Sequence, residues 1–425
     1  MTHTPAAFVQ VGATRDGLDP YLDAARRRGM PAILVETPAY LRWRRQLGRR
    51  PFDVELPVAH PADTEEVRRA LESHGAPVAL VLAGFERYVG SAFAVAPQVE
   101  RGPRNRWPRG PFLPVDKWGQ RSALSARRPD MAQPRHASFA AGEPGMAAAL
   151  DAVGYPQVVK PSNGGGGLGV FIAESAARRE QALSRLSHIA NYDGEPFERV
   201  LVEEYVEGRE HSIQGLAHEG RALILTTCEK FITREEAPGG AGLRGFRESG
   251  HIATHGNRAA APLRELTQAC LDATGYREGP FHVDIIQNGR GAFFIEMGFR
   301  LSGGGLVALV EKATGMKWAE MVFETHLGER VPTLVPERGY VGQVTAATEE
   351  ELAAGERLRE RGLRVDIQRM APPPPAPEPG SEDETSLASD RLRHTGFAGR
   401  ITLHGDSLEQ VRDLLRGCIE SRLGA

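Results

Sequence analysis

Residues 158–170 read VVKPSNGGGGLGV, which places Lys160 at the end of an apolar run and four consecutive glycines soon after it. Backbone N–H groups of a glycine loop can surround phosphate oxygens, because no Cβ atom blocks the approach. A lysine on the adjacent strand would add a point charge for the same phosphates. The stretch is not a Walker A loop, since the lysine comes before the glycines. Taken alone, it predicts either a phosphate-binding loop or a flexible turn.

The N-terminal part of the chain alternates short apolar segments with helical ones. The apolar segments at 7–12, 32–37 and 77–84 read AFVQVG, AILVET and PVALVLAG. Alternation of this kind predicts a parallel sheet, so residues 1–112 are expected to form a Rossmann-like domain. No G-x-G-x-x-G follows the first strand, and a dinucleotide site is therefore not predicted.

The composition is that of an ordinary globular protein of 425 residues, with 41% apolar and 25% charged residues. A formal net charge of -3 gives no reason to expect a nucleic-acid partner. The N-terminus lacks a basic segment followed by an apolar one, and no run of about 18 apolar residues occurs, so neither export nor a membrane span is expected. Three widely spaced cysteines favour a reduced, cytoplasmic protein.

Lysine is rare in this chain. Of the 52 basic residues only five are lysines, which leaves 47 arginines. The bias indicates GC-rich coding, and it draws attention to each lysine that remains, because a compact ammonium binds differently from a guanidinium. Lys117, Lys160 and Lys230 are therefore candidate site residues, whereas Lys312 and Lys317 lie in a helical segment and are attributed to chance.

Residues 201–215 read LVEEYVEGREHSIQG and predict a strand followed by a turn. The strand would present its backbone edge to a purine, and Glu203 would accept a hydrogen bond from the adenine amino group. Glu210 would accept bonds from both ribose hydroxyls, because a carboxylate has two acceptor oxygens. Taken alone, the segment is better explained as an exposed acidic strand and turn.

Residues 279–305 read GPFHVDIIQNGRGAFFIEMGFRLSGGG and predict two strands joined by a tight turn. Asp284 and Glu296 would share a metal only if they lay on the same face. A two-residue turn at 288–289 would place them on opposite faces, whereas a three-residue loop at 289–291 would place them directly opposite, with Cβ atoms about 5 Å apart. Facing carboxylates repel unless a cation lies between them, and hard oxygen ligands favour Mg²⁺. The alternative is a surface hairpin with a scattered acid pair.

These segments occur in a fixed order, and together they resemble the ATP-grasp carboxylate–amine ligases over nearly the whole chain. The resemblance is carried by Asp116-Lys117, VVKPSNGGGGLGV, EEYVEGRE, HVD and EMGFRLSGG. Many members of that superfamily have asparagine where EMGFR has Gly298, and the E-x-G-x-R form resembles the L-amino acid ligase and carnosine synthase branch. RESGH at 247–251 is similar to a segment near the amino-acid site of this branch.

The resemblance implies an α/β protein with the ATP-grasp fold. The Rossmann-like part at 1–112 would precede two ATP-grasp regions at 113–195 and 196–330, with the nucleotide between their sheets. A C-terminal domain would occupy 331–425. Within it, the Pro-rich acidic segment at 371–386 is expected to be a solvated, flexible loop.

The resemblance also implies a role for each matched position. The residues that would bind ATP are Lys117, Lys160, Ser162, Gly165, Gly166, Gly167, Glu203, Glu204, Val206 and Glu210. Asp284 and Glu296 would bind Mg²⁺, with water or a phosphate oxygen at the position that Gly298 leaves open. The residues expected at the substrate are Glu248, His251, Arg300, Gly303 and Gly304. Arg300 and Lys160 would act in catalysis, and Lys230 is expected near the nucleotide.

The implied function is ATP-dependent ligation of an amino-acid carboxylate to an amine through an acyl phosphate, which gives a dipeptide or similar amide, ADP and phosphate. The partners would be small-molecule carboxylates and amines, with a homodimer implied at the level of the family. A large first amino acid is expected, because RLSGGG at 300–305 offers no bulky side chain to narrow its pocket. Two alternatives stay open: a ligase for a non-amino carboxylic acid or a biotin-carboxylase-like enzyme, and a non-catalytic ATP-binding scaffold.

Overall fold

The computed structural model of the chain describes residues 5–100, 116–140, 143, 146–192, 195–237, 242–330, 333, 339–375, 387–394 and 397–423. Its N-terminal part is a four-stranded parallel sheet in the order β3-β2-β1-β4. The elements are β1 (Ala7–Val11), α1 (Pro20–Arg27), β2 (Ala32–Glu36), α2 (Pro38–Gln46), β3 (Val54–Pro57), α3 (Thr64–His74), β4 (Val78–Ala83) and α4 (Val89–Val99). The parallel order confirms the α/β prediction for this part of the chain.

Local sequence explains where these elements begin and end. Every residue of β1 and β2 is buried, as expected for strands covered by helices on both faces. Helix α3 begins after Asp63, whose carboxylate accepts hydrogen bonds from the first-turn amides, and ends at Gly75 in the left-handed conformation. Strand β1 is followed by residues 13–16, which reach the C-terminal part of the chain.

The rest of the chain builds one twelve-stranded sheet in the order β13-β12-β9-β10-β11-β7-β6-β8-β5, with β14, β16 and β15 branching from β11. Its first portion contains α5 (Lys117–Arg127), β5 (His136–Ala140), α6 (Met146–Val153), β6 (Gln157–Pro161), β7 (Phe171–Ala173), α7 (Ala176–Leu186) and β8 (Arg199–Glu204). The second contains β9 (Arg209–His218), β10 (Arg221–Glu236), β11 (Arg244–His255), α8 (Ala261–Thr274), β12 (Gly279–Asn288), β13 (Gly291–Gly298), α9 (Leu306–Thr314) and α10 (Trp318–Leu327).

The two portions meet along a narrow line. Among the described residues, strand β7 pairs with β11 through Ile172 and Arg244 alone. Strand β8 pairs with β5 and β6, so residues 199–204 belong by their hydrogen bonds with the first portion although they follow the boundary expected at 195/196. The short seam leaves a space between the two halves of the sheet, and that space holds the candidate site.

The C-terminal part extends the second portion. It contains β14 (Tyr340–Ala346), α11 (Glu349–Glu360), β15 (Val365–Arg369), α12 (Ala388–His394), β16 (Gly399–Gly405), α13 (Leu408–Cys418) and α14 (Glu420–Leu423). A separate apolar core forms where α13 covers β14 and β16. Of the predicted flexible loop at 371–386, residues 376–386 lie outside the described residues. Among the helices that are described, none has the length and apolar character needed to cross a membrane.

Candidate active site

A cavity of about 960 Å³ lies where the glycine-rich loop, the end of β8, the β10–β11 hairpin and the β12–β13 hairpin come together. Of the predicted site residues, it is lined by Lys117, Lys160, Gly165, Gly166, Gly167, Glu203, Glu204, Val206, Glu210, Glu248, His251, Asp284, Glu296 and Gly304, and Lys230 joins them. Ser162, Arg300 and Gly303 are not among the described residues that line it. Residues far apart in sequence are thus brought to one cavity.

Lys117 reaches this cavity as the first residue of α5. The Asp116 carboxylate caps the helix by accepting a hydrogen bond from a first-turn amide. The Lys117 Nζ donates to the Gly164 carbonyl at 2.6 Å and pairs with Glu296 at 2.8 Å. Burial acts to lower the pKa of Lys117, but the Glu296 charge outweighs it and raises the pKa. The lysine therefore joins the glycine-rich loop to a predicted metal ligand.

Lys160 ends β6 and lies almost wholly buried. Its Nζ pairs with a Glu203 oxygen at 2.5 Å, and Arg121 pairs with the other oxygen. Burial lowers the pKa of Lys160, and the positive charge of Arg121 lowers it further. The negative charge of Glu203 acts to raise this pKa but does not outweigh them. Burial also opposes ionisation of Glu203, yet the two cations hold the pKa of its carboxyl below the usual value. Because both Glu203 oxygens face cations, the carboxylate is not placed as the adenine acceptor predicted from sequence.

The glycine-rich loop adopts conformations that suit glycine. Gly166 and Gly167 have φ of 64° and 76°, in the left-handed region. A Cβ atom on Gly164 would lie 2.4 Å from the Pro161 Cγ, whereas a Cβ on Gly165 would have nothing within 4 Å. The loop thus folds tightly at its base and leaves open space beside its tip, where a phosphate can approach the backbone.

Ser162 holds the base of that loop. Its hydroxyl donates to Asp116 at 2.9 Å and accepts from the Trp118 amide at 3.2 Å, and its carbonyl accepts from the Lys117 amide at 2.9 Å. The side chain therefore ties the loop to α5 and does not face the cavity.

The end of β8 and the segment after it are held by side chains at the rim of the cavity. Glu204 pairs with Arg135 at 3.1 Å and with Arg290 at 2.8 Å. The Tyr205 ring stacks on the Phe246 ring of β11, with centroids 6.0 Å apart. These contacts fix the backbone around Val206, the stretch predicted to bind adenine.

Asp284 lies directly opposite Glu296 in the β12–β13 ladder, as predicted. The hairpin has neither of the two turns considered from the sequence, because the ladder closes at Asn288 and Gly291 around a two-residue turn at 289–290. Such a turn alone would misalign the carboxylates by one residue. A β-bulge at Ile295 adds the missing residue and restores their alignment.

The chemistry of the two carboxylates suits a hard cation such as Mg²⁺, with Glu296 paired to Lys117 in this structure. Asp284 Oδ1 is buried and has no hydrogen-bond partner among the described residues, while Oδ2 accepts from Lys230 at 2.8 Å. Burial opposes ionisation of Glu296, but the charges of nearby lysines hold its pKa well below the usual range. A Cβ on Gly298 would lie 2.1 Å from the His282 ring, so no side chain at 298 can supply a further ligand.

Lys230 occupies the centre of an acidic cluster. Its Nζ pairs with Glu210 at 2.7 Å, Glu248 at 2.6 Å and Asp284 at 2.8 Å, and carboxylate oxygens of the three acids lie within 4.8 Å of one another. Burial raises the pKa of Glu210, whereas for Glu248 the Lys230 charge outweighs burial and lowers the pKa to about 2. Glu210, predicted to bind ribose, is therefore engaged by Lys230 in this structure.

His251 lies beside Lys230 on the neighbouring strand. The side chain is 1% exposed, and its Nε2 is 3.7 Å from a Glu248 oxygen. Neither ring nitrogen has a hydrogen-bond partner among the described residues. Burial lowers the pKa of His251, so the ring is neutral near pH 7. A buried neutral imidazole that lines the cavity is available to a ligand.

Arg300 is held outside the cavity. Its Nε pairs with Glu86 of the N-terminal domain at 2.7 Å, and its Nη1 donates to the Leu301 carbonyl at 2.6 Å. The Gly303 carbonyl accepts from an amide at the start of α9. Gly304 does line the cavity, with φ of 68° and no heavy atom within 4 Å of a Cβ built on it.

Residues 153–307 match the sequence model of the ATP-grasp domain. This part of the chain is an ATP-grasp domain. It contains the glycine-rich loop, the segment after β8, the Lys230 cluster and the β12–β13 hairpin. Of the predicted site residues that line the cavity, Lys117 on α5 lies outside the matched range, and the N-terminal and C-terminal parts of the chain add further lining residues such as Arg15 and Arg400.

Named relatives resemble part of the chain. The chain is 26% identical to dapdiamide A synthase of Enterobacter agglomerans over 161 residues, 38% of this chain and 37% of that one. It is 25% identical to the L-arginine-specific L-amino acid ligase of Bacillus subtilis over 166 residues, 39% and 38% of the two chains. The aligned part thus spans less than two fifths of either relative. The crystal structure of L-amino acid ligase from Bacillus licheniformis superposes with a TM-score of 0.67 at 17% identity, covering 99% of this chain and 98% of that one, which confirms the ATP-grasp fold.

Three contacts could not be read from the sequence. The Lys230 cluster depends on the pairing of β9, β10, β11 and β12, and the scarcity of lysine was its only signal. Arg121 lies in no motif that would distinguish it among the 47 arginines of the chain. Glu86 lies in a connection after β4 that carries no motif, so its pair with Arg300 had no sequence signal.

Proposed function

We propose that the protein is an ATP-dependent carboxylate–amine ligase, which joins an amino acid to an amine and releases ADP and phosphate. The main support for this proposal is that three lysines, a glycine-rich loop and two facing carboxylates line one cavity. Phosphoryl transfer needs positioning and charge neutralisation more than covalent help from the protein, and this lining suits both needs. The names of the two curated relatives support amino acids as substrates.

The proposed reaction begins with transfer of the γ-phosphoryl group of ATP to the substrate carboxylate, which gives an acyl phosphate and ADP. The amine then attacks the carbonyl carbon, and phosphate leaves with the electrons of the C–O bond. Lys117 and Lys160 neutralise phosphate oxygens in the first step. The loop at 162–169 covers the acyl phosphate and keeps water away from it.

The metal would be held by Asp284 and Glu296. When bound, Mg²⁺ supplies charge neutralisation at the phosphate oxygens. The unpartnered Asp284 Oδ1 and the ionised Glu296 support this assignment. Lys230 already neutralises part of the cluster formed by Glu210, Glu248 and Asp284, so it keeps these acids close together without metal.

Binding of substrates requires one ion pair to open, because Arg300 must leave Glu86 before it can hold the acyl phosphate. Lys230 pairs with one Glu210 oxygen, so the other oxygen can accept from a ribose hydroxyl while that ion pair stays in place. We assign adenine to the backbone of 204–206, because the Glu203 carboxylate is engaged by two cations. Glu248 and His251 face the cavity where a substrate amino group would lie.

We propose that the protein is cytoplasmic and that it forms a homodimer. Cys228, Cys270 and Cys418 are free and buried, which suits a reducing compartment.

The test is release of ADP from ATP and Mg²⁺ in the presence of pairs of amino acids. The proposal predicts release that requires two amino acids and yields one amide per ADP. Release that depends on bicarbonate would point to a carboxylase instead. Tight ATP binding without ADP release by any carboxylate would favour a non-catalytic scaffold.

A further inference from the structure

Helix α5 carries two buried polar side chains that have no role in the proposed reaction. Gln120 and Arg121 are 2% and 0% exposed. They lie against β13, the end strand of the sheet path, whose outer edge pairs with no strand among the described residues. Backbone N–H and C=O groups on a covered edge need hydrogen-bond partners. Helix α5 supplies them.

Both side chains bond the backbone of β13. The Gln120 Nε2 donates to the Met297 carbonyl at 2.7 Å, and its Oε1 accepts from the Met297 amide at 2.9 Å. The Arg121 Nη1 donates to the Phe294 carbonyl at 2.7 Å, and its Nη2 donates to the Ile295 carbonyl at 3.0 Å. The residues held in this way lie on both sides of the predicted metal ligand.

The Arg121 contacts fall on the bulge. Ile295 is the extra residue of β13, and a bulge places two consecutive residues opposite one residue of the partner strand. A guanidinium has donors in a fixed fork that can reach two neighbouring carbonyls, which an ammonium cannot match. Without the bulge, the ladder would slip by one residue and move Glu296 to the face opposite from Asp284.

We propose that Gln120 and Arg121 are positioning residues that hold Glu296 in register with Asp284 for metal binding. The inference rests on the proposed metal site. Arg121 also pairs with Glu203, the partner of Lys160, so one guanidinium joins a phosphate-binding lysine to the metal strand.

Arg121→Lys tests the paired donors of the guanidinium apart from its positive charge. The lysine keeps a cation near Glu203 but cannot donate to two carbonyls in the same geometry. Helix α5 offers a matched control in Arg127, whose Nη1 donates to backbone carbonyls at the end of α8, at 2.9 Å to Asp272. Arg127→Lys makes the same replacement on the same helix at an exposed arginine that bonds α8 and not β13. Gln120→Met removes both bonds to Met297 at similar volume.

The measurement is Mn²⁺ affinity of the enzyme–ADP complex, from the EPR signal of free Mn²⁺, together with ADP affinity without metal. Loss of a contact that orients a metal ligand costs about 10-fold or more in metal affinity. We expect Arg121→Lys and Gln120→Met to lose Mn²⁺ affinity by this factor and to keep an ADP affinity near wild type when no metal is present. Arg127→Lys should bind Mn²⁺ with an affinity near wild type.

Each outcome decides something. Equal Mn²⁺ affinity in Arg121→Lys and Arg127→Lys overturns the inference and leaves the proposed function standing. A wild-type enzyme that binds no Mn²⁺ with ADP refutes the metal site itself, and the inference falls with it. If Arg121→Lys does not fold, Gln120→Met decides by the same comparison.

Discussion

Replacement of Glu296 by glutamine should nearly abolish turnover and leave the protein folded. Glutamine has the shape of glutamate and removes one negative charge. Glu296 lies opposite Asp284, so the change leaves the metal with one of its two facing carboxylates. Loss of such a ligand removes about 3–4 kcal/mol of transition-state stabilisation, which corresponds to roughly 10²- to 10³-fold in rate.

The same change should lower stability without unfolding the protein. Lys117 loses the charge that raises its pKa, which costs more than a surface ion pair would, but it keeps its bond to the Gly164 carbonyl and the Glu296 side chain is 33% exposed. The melting temperature should therefore fall while the unfolding transition stays cooperative. Metal-free ADP should bind at least as tightly as to wild type, because a negative charge near the phosphates is gone.

The assay is ADP release at saturating ATP, amino acids and Mg²⁺, with Glu311→Gln on the exposed face of α9 as the control. Turnover of Glu296→Gln within about threefold of Glu311→Gln would refute the metal assignment, since loss of a metal ligand should lower the rate far more than that. Slow turnover with a collapsed melting temperature would show that the residue supports the fold.

Three further predictions follow from other contacts. The loop at 162–169 should gain hydrogen-exchange protection when an ATP analogue binds, because ordering costs about 1–2 kcal/mol of backbone entropy per residue and bound phosphates add contacts that offset it; equal protection in both states would contradict this. Gly304→Trp should lower stability, because φ of 68° strains any side chain there, and should shift preference from large to small first amino acids with little change in the KM for ATP, since the space beside Gly304 is open; uniform loss for every substrate with weaker ATP binding would contradict an open pocket. His326 is fully buried, and burial lowers its pKa to about 3. Below pH about 6.5, His326 binds a proton in the unfolded chain but not in the folded chain. The free energy of unfolding should therefore fall by about 1.4 kcal/mol per pH unit down to pH 3. His326→Gln should show a smaller fall in melting temperature between pH 7 and pH 5, and an unchanged slope would refute the assignment.

The fold was largely readable because its signals are local. The parallel N-terminal sheet follows from the alternation of apolar and helical segments, and the ATP-grasp fold follows from ordered motifs that lie within single loops and strands. The length of β10, Arg221–Glu236, was not foreseen, because a strand that long is stabilised by its neighbours β9 and β11 and not by its own sequence.

The candidate site was readable where it depended on one hairpin and unreadable where it depended on the pairing of four strands. Asp284 and Glu296 were predicted to face each other, and they do, but through a bulge at Ile295 that no residue signals. The bulge is held by Arg121, a residue 174 positions away in sequence from Ile295. A side chain–backbone contact of that range leaves no periodicity to detect. The roles assigned to the cavity residues stay predictions.

The most direct test of the proposed ligase is the fate of carboxylate oxygen. An amino acid with both carboxylate oxygens labelled with ¹⁸O is incubated with ATP, Mg²⁺, an amine substrate and the enzyme, and the released phosphate is analysed by mass spectrometry. An acyl phosphate intermediate transfers one labelled oxygen to phosphate in each turnover, and ADP stays unlabelled. Unlabelled phosphate during amide formation, or label in AMP, would contradict the account.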